Sequence, residues 1–586
     1  MRRRSLSLIF LLLLLLTTGL VGCEENSALA SRNLQLRISA DHQPLGFTPG
    51  DQVQLEKENR EALLVILKGV WPQNADLRMD LVRVIEADVF VAQRDYEGDP
   101  HWITRAQVRG ADGEVLWSQR INSLSQLLEF LNIVIEDQST VNLTIRQVAQ
   151  LVEREYPQLL EFAVKVPTGI VGGETYVIEI ANEAGQWREA ASLPIADLVA
   201  AAQPTELDFE VDTIVATGPD EDRLTIAIIG DGYRASERGA FEADAQAVAE
   251  RFLATSPMTE HADLFNIKTV WAPSQESGAS YDCNFQGAPP GCEQGFRDTA
   301  FETTFVIPAL MDRFNLPLGD VSDRVAMPIQ IGKVFEAGAM AGYDDIVMIS
   351  NSRKRAGFAG LYISLVTAYD NRASFPDVAV HELGHSLGLL GDEYMVPGDS
   401  CYFNEPLIPL PANIGELTNG EVKWSEWIAE GTPLPTPNNE ALQYPVGAYE
   451  GAYNCDFLVR PSHRCKMNSS RDEFCSVCAE QMVRRFYAFI DPPLNETINI
   501  SRLSEDQVRI RIPLRADPER YEVIWSVNGA PIHLGSSFTF GPRNFLEVPS
   551  NTWVPMEVTV RNSSDFVHTR DEALESTYRF EVRLEE

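Results

Sequence analysis

Two imidazoles four residues apart, His381 and His385, can act on one object only if their segment is helical. At about 100° per residue an α-helix sets them about 40° apart, with Glu382 flanking them at about 100°. Leu383, Leu387 and Leu390 then fall between about 180° and 240°, so the helix has an imidazole face and an apolar back. Pro376 and Asp377 suit its first turn. Glycines at 384, 388 and 391 interrupt it, where packing alone would favour alanine. The chain has only eight histidines in 586 residues, so two in this register are no accident of composition.

His-Glu-x-x-His on a helix is a zinc-binding arrangement. Zinc held by three protein ligands keeps one position open for water and polarises a carbonyl. Glu382 is then the general base, taking a proton from water and passing it to the leaving amine. His381 and His385 supply two ligands. Asp392 would lie at about 20° if the helix continued, on the correct face, but its rise would carry it about 10 Å past His385. Zinc–ligand bonds are only about 2 Å long, so Asp392 can be the third ligand only if the helix ends at Gly388 or Gly391 and folds back. Glu393 and His463 are the alternatives for that place. Gly388 matches the glycine of the metzincin pattern His-Glu-x-x-His-x-x-Gly-x-x-His. Gly391 occupies that pattern's third-ligand position and cannot ligate, which displaces the ligand by one residue. One Zn2+ per chain is expected.

Around this motif the texture changes twice. Residues 24–205 read as a β-rich accessory domain, with strands over 81–92, 106–118 and 173–180 and one helix over 145–162. Residues 200–212 read as a linker. Residues 206–493 alternate apolar strands (224–230, 265–271, 346–350) with long helices (237–252, 477–490), the pattern of an α/β domain with a largely parallel sheet. Residues 494–586 return to alternating strands over 507–512, 521–527, 556–560 and 578–584, which predicts a small Ig-like β-sandwich. The predicted whole is a metzincin-like α/β peptidase domain between two β domains.

The first 22 residues read as a signal peptide, with Arg2 to Arg4 ahead of an apolar run. Leu20-Val21-Gly22-Cys23 resembles a lipobox, which predicts lipid on Cys23 and, with Glu24 after it, placement in the outer membrane, facing the periplasm or the cell surface. A net charge of -37, from 48 basic and 85 acidic residues, argues against nucleic acid as a partner. Export favours disulfides among the seven remaining cysteines, with one left over, and Cys283–Cys292 is the plainest pair. His463, Cys465, Cys475 and Cys478 could also hold a structural zinc, although disulfides are the commoner fate in that compartment.

The segment from His381 through Asp392-Glu393-Tyr394 resembles the IgA-peptidase family of bacterial zinc metallopeptidases. So do Gly230-Asp231-Gly232-Tyr233, Phe265-Asn266, Ser274-x-Glu276-Ser277-Gly278 and Asp298-Thr299-Ala300-Phe301. Cys465-Lys466-Met467 with Phe474-Cys475-x-x-Cys478 resembles that family's Met-turn region, which implies that Met467 packs beneath the metal without ligating it. Gly357-Phe358-Ala359-Gly360 departs from the family's Tyr-Gly-Gly-like segment before the zinc helix. The resemblance implies a protein or peptide substrate and does not single out immunoglobulin. The competing reading is an adhesion or polysaccharide-binding lipoprotein with an inactive peptidase fold. The intact His381-Glu382-x-x-His385 argues against it.

Overall fold

Residues 224–231 and 345–350 are buried on both faces along their whole length, which only strands covered on both sides sustain. They are the centre of a six-stranded sheet in a computed structural model. The structure describes residues 33–585 apart from 39–51, 55–60, 71–76, 93–103, 122–151, 306–324, 402–409, 541–551 and some shorter intervals. The signal segment and Cys23 lie outside the described residues.

The sheet contains β1 (Glu210–Val215), β2 (Leu224–Asp231), β3 (Phe265–Trp271), β4 (Asp345–Ser350), β5 (Gly357–Gly360) and β6 (Ile363–Thr367), in the order β1-β3-β2-β4-β6-β5. The four inner strands are parallel, and the outer two, β1 and β5, run antiparallel to their neighbours. Helices α1 (Arg238–Leu253), α2 (Ile331–Met340), α3 (Phe375–Ser386) and α4 (Ser476–Phe489) accompany it.

Alternation along the strands divides the core. Ile226 and Ile228 of β2, Val347 and Ile349 of β4 and Val366 of β6 join Phe241 and Val248 of α1 and Val378, Ala379 and Leu383 of α3. Their neighbours Ala227, Ile229, Ile346, Met348 and Leu365 join Ile331, Val334 and Phe335 of α2 in a second core. Each fully buried aliphatic side chain contributes about 1.5–3 kcal/mol, so the helix bearing His381 and His385 is seated chiefly by its apolar back.

The second core continues into the sheet of Glu61–Val70, Arg78–Phe90 and Glu161–Pro167, through Leu64, Ile66 and Phe162. Three features differ from the sequence expectation. The strand expected over 106–118 is a hairpin, Thr104–Arg109 with Val115–Arg120, turning at Asp112 and at Gly113 with its positive φ of 78°. Of the helix expected over 145–162, only 152–154 are α-helical among the described residues; Pro157 opens a 3-10 turn and a strand starts at Glu161. The supposed linker is part of the fold. Its Gln203–Pro204 pairs with Ile85 and Glu86, and Glu210 begins β1.

The C-terminal strands form two antiparallel sheets, and each includes a strand from the start of the chain. Asn33–Ile38 pairs with Glu575–Glu585, and Gln52–Gln54 pairs with Thr497–Ser504. Asn33–Ile38 and Gln52–Gln54 therefore belong to the C-terminal sheets, which corrects the boundary drawn at residue 24. The sequence did not indicate this, because strand alternation carries no partner.

Beneath α3, Asp345 is fully buried and accepts a hydrogen bond from Ser386 Oγ at 2.8 Å, while its Oδ2 has no partner. Burial raises its pKa well above the usual carboxylate range, against the pull of Ser386 and Arg485. A carboxyl whose folded pKa is raised contributes full stability below its unfolded pKa of about 3.9 and loses it as pH rises through the folded value. Asp345→Asn cannot ionise. It should be more stable than wild type at pH 7, with the difference vanishing near pH 4, as read by urea unfolding at both values.

Candidate metal and catalytic site

α3 starts at Phe375 with Pro376 in its first turn, where the missing N–H costs nothing, and ends at Ser386. The chain then reverses. Leu389 takes φ 55°, a left-handed conformation that costs a non-glycine residue about 1–2 kcal/mol. Leu389 N–H and Leu390 N–H donate back to the carbonyls of His385 and Gly384, both at 3.0 Å. The fold-back that Asp392 requires thus occurs just after Gly388, at a leucine.

The reversal and a distant turn together fix both imidazoles. His385 Nδ1 lies 2.7 Å from the carbonyl of Leu390, and His381 Nδ1 lies 2.8 Å from the carbonyl of Lys466. A carbonyl can only accept, so each Nδ1 carries the proton and each Nε2 is left to face Asp392. Asp392 Oδ1 sits 3.2 Å from both Nε2 atoms. Three donor atoms bonded to one tetrahedral ion at about 2 Å would lie about 3.3 Å apart. The spacing fits zinc.

The electrostatics also fit a cation. Burial alone would lower the pKa of His385, but the Asp392 carboxylate pushes it up to about 10. His381 is raised as well, with Asp392 overcoming burial, and burial of Asp392 is outweighed by the two imidazoles, which hold it well below the usual carboxylate range. The trio therefore favours positive charge at its centre, as protons or as a metal ion.

Glu382 is buried beside the trio. Burial raises its pKa above the ordinary value, and the imidazoles of His381 and His385 only partly counter it. Its carboxylate has room because Gly357 of β5 lacks a side chain: a Cβ there would lie 2.1 Å from Glu382 Oε1. Tyr394 stacks on His381 with ring centroids 6.5 Å apart.

Met467 is fully buried under α3, and a Cβ on Gly384 would meet its sulfur at 2.5 Å. That close approach explains the glycine within the helix. Glu393, one of the alternatives for the third ligand, instead joins Cys465, Cys475 and Cys478, and His463 belongs to neither cluster. Glu393 N–H donates to the Met467 carbonyl at 2.9 Å, tying the Asp392 segment to the Met467 turn. Asp377 pairs with Arg251 at 3.3 Å and with Lys466 at 3.9 Å, so it braces the turn that holds His381.

Three of the remaining sequence blocks converge on a buried carboxylate, while Asn266 of the fourth bonds Thr217, Gly218 and Asp220 instead. Asp231 accepts from Phe301 N, Thr303 N and Thr299 Oγ1, each at 3.0 Å, and Ser274 Oγ reaches Gly232 N and Ala300 N. They clasp the loops after β2 and β3.

Residues 213–443 match the family model described as IgA Peptidase M64. Over this stretch the chain is similar to that peptidase family. The M64 match includes His381, Glu382, His385 and Asp392 and ends before Met467 and the cysteines at 465, 475 and 478. No curated protein matches the chain at a significant level. Members of M64 are metallopeptidases, and the structure offers a donor set for the metal.

Two residues important to this geometry were missed by sequence reasoning. Asn413 gives its amide to Gly391 O at 2.8 Å and Glu393 Oε1 at 2.9 Å and accepts from Gly391 N at 2.8 Å, pinning both sides of Asp392. Lys466 acts through its carbonyl, which no side-chain pattern records. Gly357 was noted only as a departure from a family segment. Gly357→Ala should leave metal content unchanged and lower peptidase kcat by about 10²-fold, since a misplacement of about 1 Å in the reacting groups has that effect. Unchanged kcat at full metal content would show that Glu382 does not need this space.

Proposed function

We propose that the M64 domain is a zinc endopeptidase in which His381, His385 and Asp392 hold one Zn2+ and Glu382 is the general base. The observation that carries this reading is the 3.2 Å spacing of Asp392 Oδ1 from two Nε2 atoms whose Nδ1 protons are already committed. A zinc ion bound there supplies Lewis-acid polarisation of the scissile carbonyl and acidifies water near neutral pH.

The chain's own groups do the rest. Glu382 takes the proton of the attacking water and delivers it to the departing amine; a carboxyl with a raised pKa is suited to both duties. The Lys466 and Leu390 carbonyls hold the imidazoles in one tautomer through the cycle. β5 ends the sheet beside Glu382, and among the described residues its second edge pairs with no strand. An extended peptide adding there as another strand would receive main-chain hydrogen bonds and pass close to Glu382. This favours unfolded or extended protein segments as substrate.

The same reading places the enzyme outside the cytoplasm, anchored through lipid on Cys23 in an outer membrane. No helix among the described residues is long and apolar enough to cross a membrane. Cys23→Ala should move the protein from the membrane fraction to the soluble fraction of its native host, and a protein that stays with membranes would argue against the anchor.

Glu382→Ala should keep about one zinc at this site and lose about 10²–10⁴-fold in cleavage of unfolded protein. Asp392→Ala should lose both metal and activity. Equal activity of wild type and Glu382→Ala would sink the mechanism, and zinc retained by Asp392→Ala at this site would sink the ligand assignment.

A further inference from the structure

Glu393 follows Asp392 directly but serves a different cluster. One of its carboxylate oxygens and the sulfurs of Cys465, Cys475 and Cys478 all lie within 4.8 Å of one another. Cys465 Sγ is 3.5 Å from Cys478 Sγ, and Cys478 Sγ is 3.2 Å from Glu393 Oε1. All four residues are buried, with Glu393, Cys465 and Cys478 at 0 % exposure and Cys475 at 9 %. Asn413 satisfies Glu393 Oε1, yet Oε2 has no hydrogen-bond partner. The three cysteines are free, while the other described cysteines are paired as Cys283–Cys292 and Cys401–Cys455. The expectation of a single leftover thiol is thereby corrected.

We propose that these four residues form a second, structural metal centre of the zinc class, separate from the catalytic one. Thiolates bonded to a tetrahedral zinc at about 2.3 Å lie about 3.8 Å apart, close to the separation here, whereas a disulfide needs about 2.05 Å and would strand the third sulfur and the carboxylate. Four protein ligands close the coordination sphere, the mark of a structural site. On binding, the divalent ion takes three thiolates and one carboxylate. Three thiol protons leave to solvent, and no electron changes hands.

The product carries two negative charges, and its surroundings are arranged to meet them. Cys475 is the N-cap of α4, so the positive end of a fourteen-residue helix abuts the cluster. Cys475 N–H already points at Cys465 Sγ, 3.4 Å away. The Arg460 guanidinium acts on both Glu393 and Cys465, and its Nε has no hydrogen-bond partner. The bound ion would join three separate pieces: the irregular segment after Asp392, the turn whose Lys466 carbonyl holds His381, and the start of α4. His463, proposed from sequence spacing as a member of such a cluster, is replaced by Glu393, which the turn after α3 brings in from far away in the chain.

The proposal does not depend on the catalytic reading, and one experiment separates them. The full chain, purified without chelator, and its His381→Ala/His385→Ala variant are compared for metal by elemental analysis and, after growth on Co2+, by absorption. Wild type should hold two equivalents and the histidine variant one, with the thiolate-to-cobalt charge-transfer band the same in both. Iodoacetamide should leave Cys465, Cys475 and Cys478 unmodified in the native protein and modify all three after denaturation with chelator, mapped by peptide mass. Cys475→Ser should lose the charge-transfer band; if it fails to fold, the cobalt spectrum and the alkylation map of wild type still decide. A histidine variant without metal, a cobalt spectrum without the thiolate band, or a disulfide joining any two of the three cysteines would overturn the second centre. A wild type holding one thiolate-bound ion alone would leave it standing and remove the catalytic zinc.

Discussion

Two backbone carbonyls govern what the candidate site can do. Those of Lys466 and Leu390 each accept the Nδ1 proton of a histidine, and by doing so they oblige both Nε2 atoms to present lone pairs to the same point. The motif supplies imidazoles and their spacing; only the backbone settles which nitrogen faces Asp392. One carbonyl is local, five residues after its histidine, and exists because Leu389 accepts a left-handed turn. The other comes from 85 residues away, and it requires the Met467 turn to be docked against Gly384. The ligand geometry therefore inherits the packing of the whole domain.

This division explains what could be read from the amino acids. Helix α3, its apolar back and its flanking glutamate follow from periodicity and are present as Phe375–Ser386, with Leu383 in the core and Glu382 buried beside His381. The need for a break before Asp392 follows from the rise of a helix, and the chain does reverse there. What periodicity cannot convey is where a backbone carbonyl points or which remote side chain fills a gap. Lys466, Asn413 and the carboxylate space at Gly357 belong to that class. The inner strands of the central sheet were legible because both faces are largely apolar, as in Ile226 to Ile229, whereas the hairpin at Gly113 read as one strand because a turn of few residues hardly disturbs alternation.

Cysteine chemistry shows the same limit from another side. Cys283 and Cys292 are neighbours in sequence and form the expected pair, with Cα atoms 5.6 Å apart. Cys401 joins Cys455 across 54 residues, which no spacing rule selects. The remaining thiols meet a glutamate that only the turn after α3 can deliver. Asp392 and Glu393, adjacent in the chain, thus connect two clusters that share the Met467 turn as a common wall. Slackness in either would be felt by the other through a few hydrogen bonds.

The pairing of Asn33–Ile38 with Glu575–Glu585 has a consequence for how the molecule is made. The first described strand is synthesised long before its partner and must hold its edge unpaired until nearly every other residue has followed. Contacts of such sequence separation form late, because the entropy of closing the intervening loop has to be met by structure already in place. The α/β core, whose strands find neighbours within shorter stretches, can mature first, and the C-terminal sheet then closes around the waiting strand. A chain truncated near its end would leave that strand exposed as a template for another copy, so the final residues protect the whole molecule against edge-to-edge association.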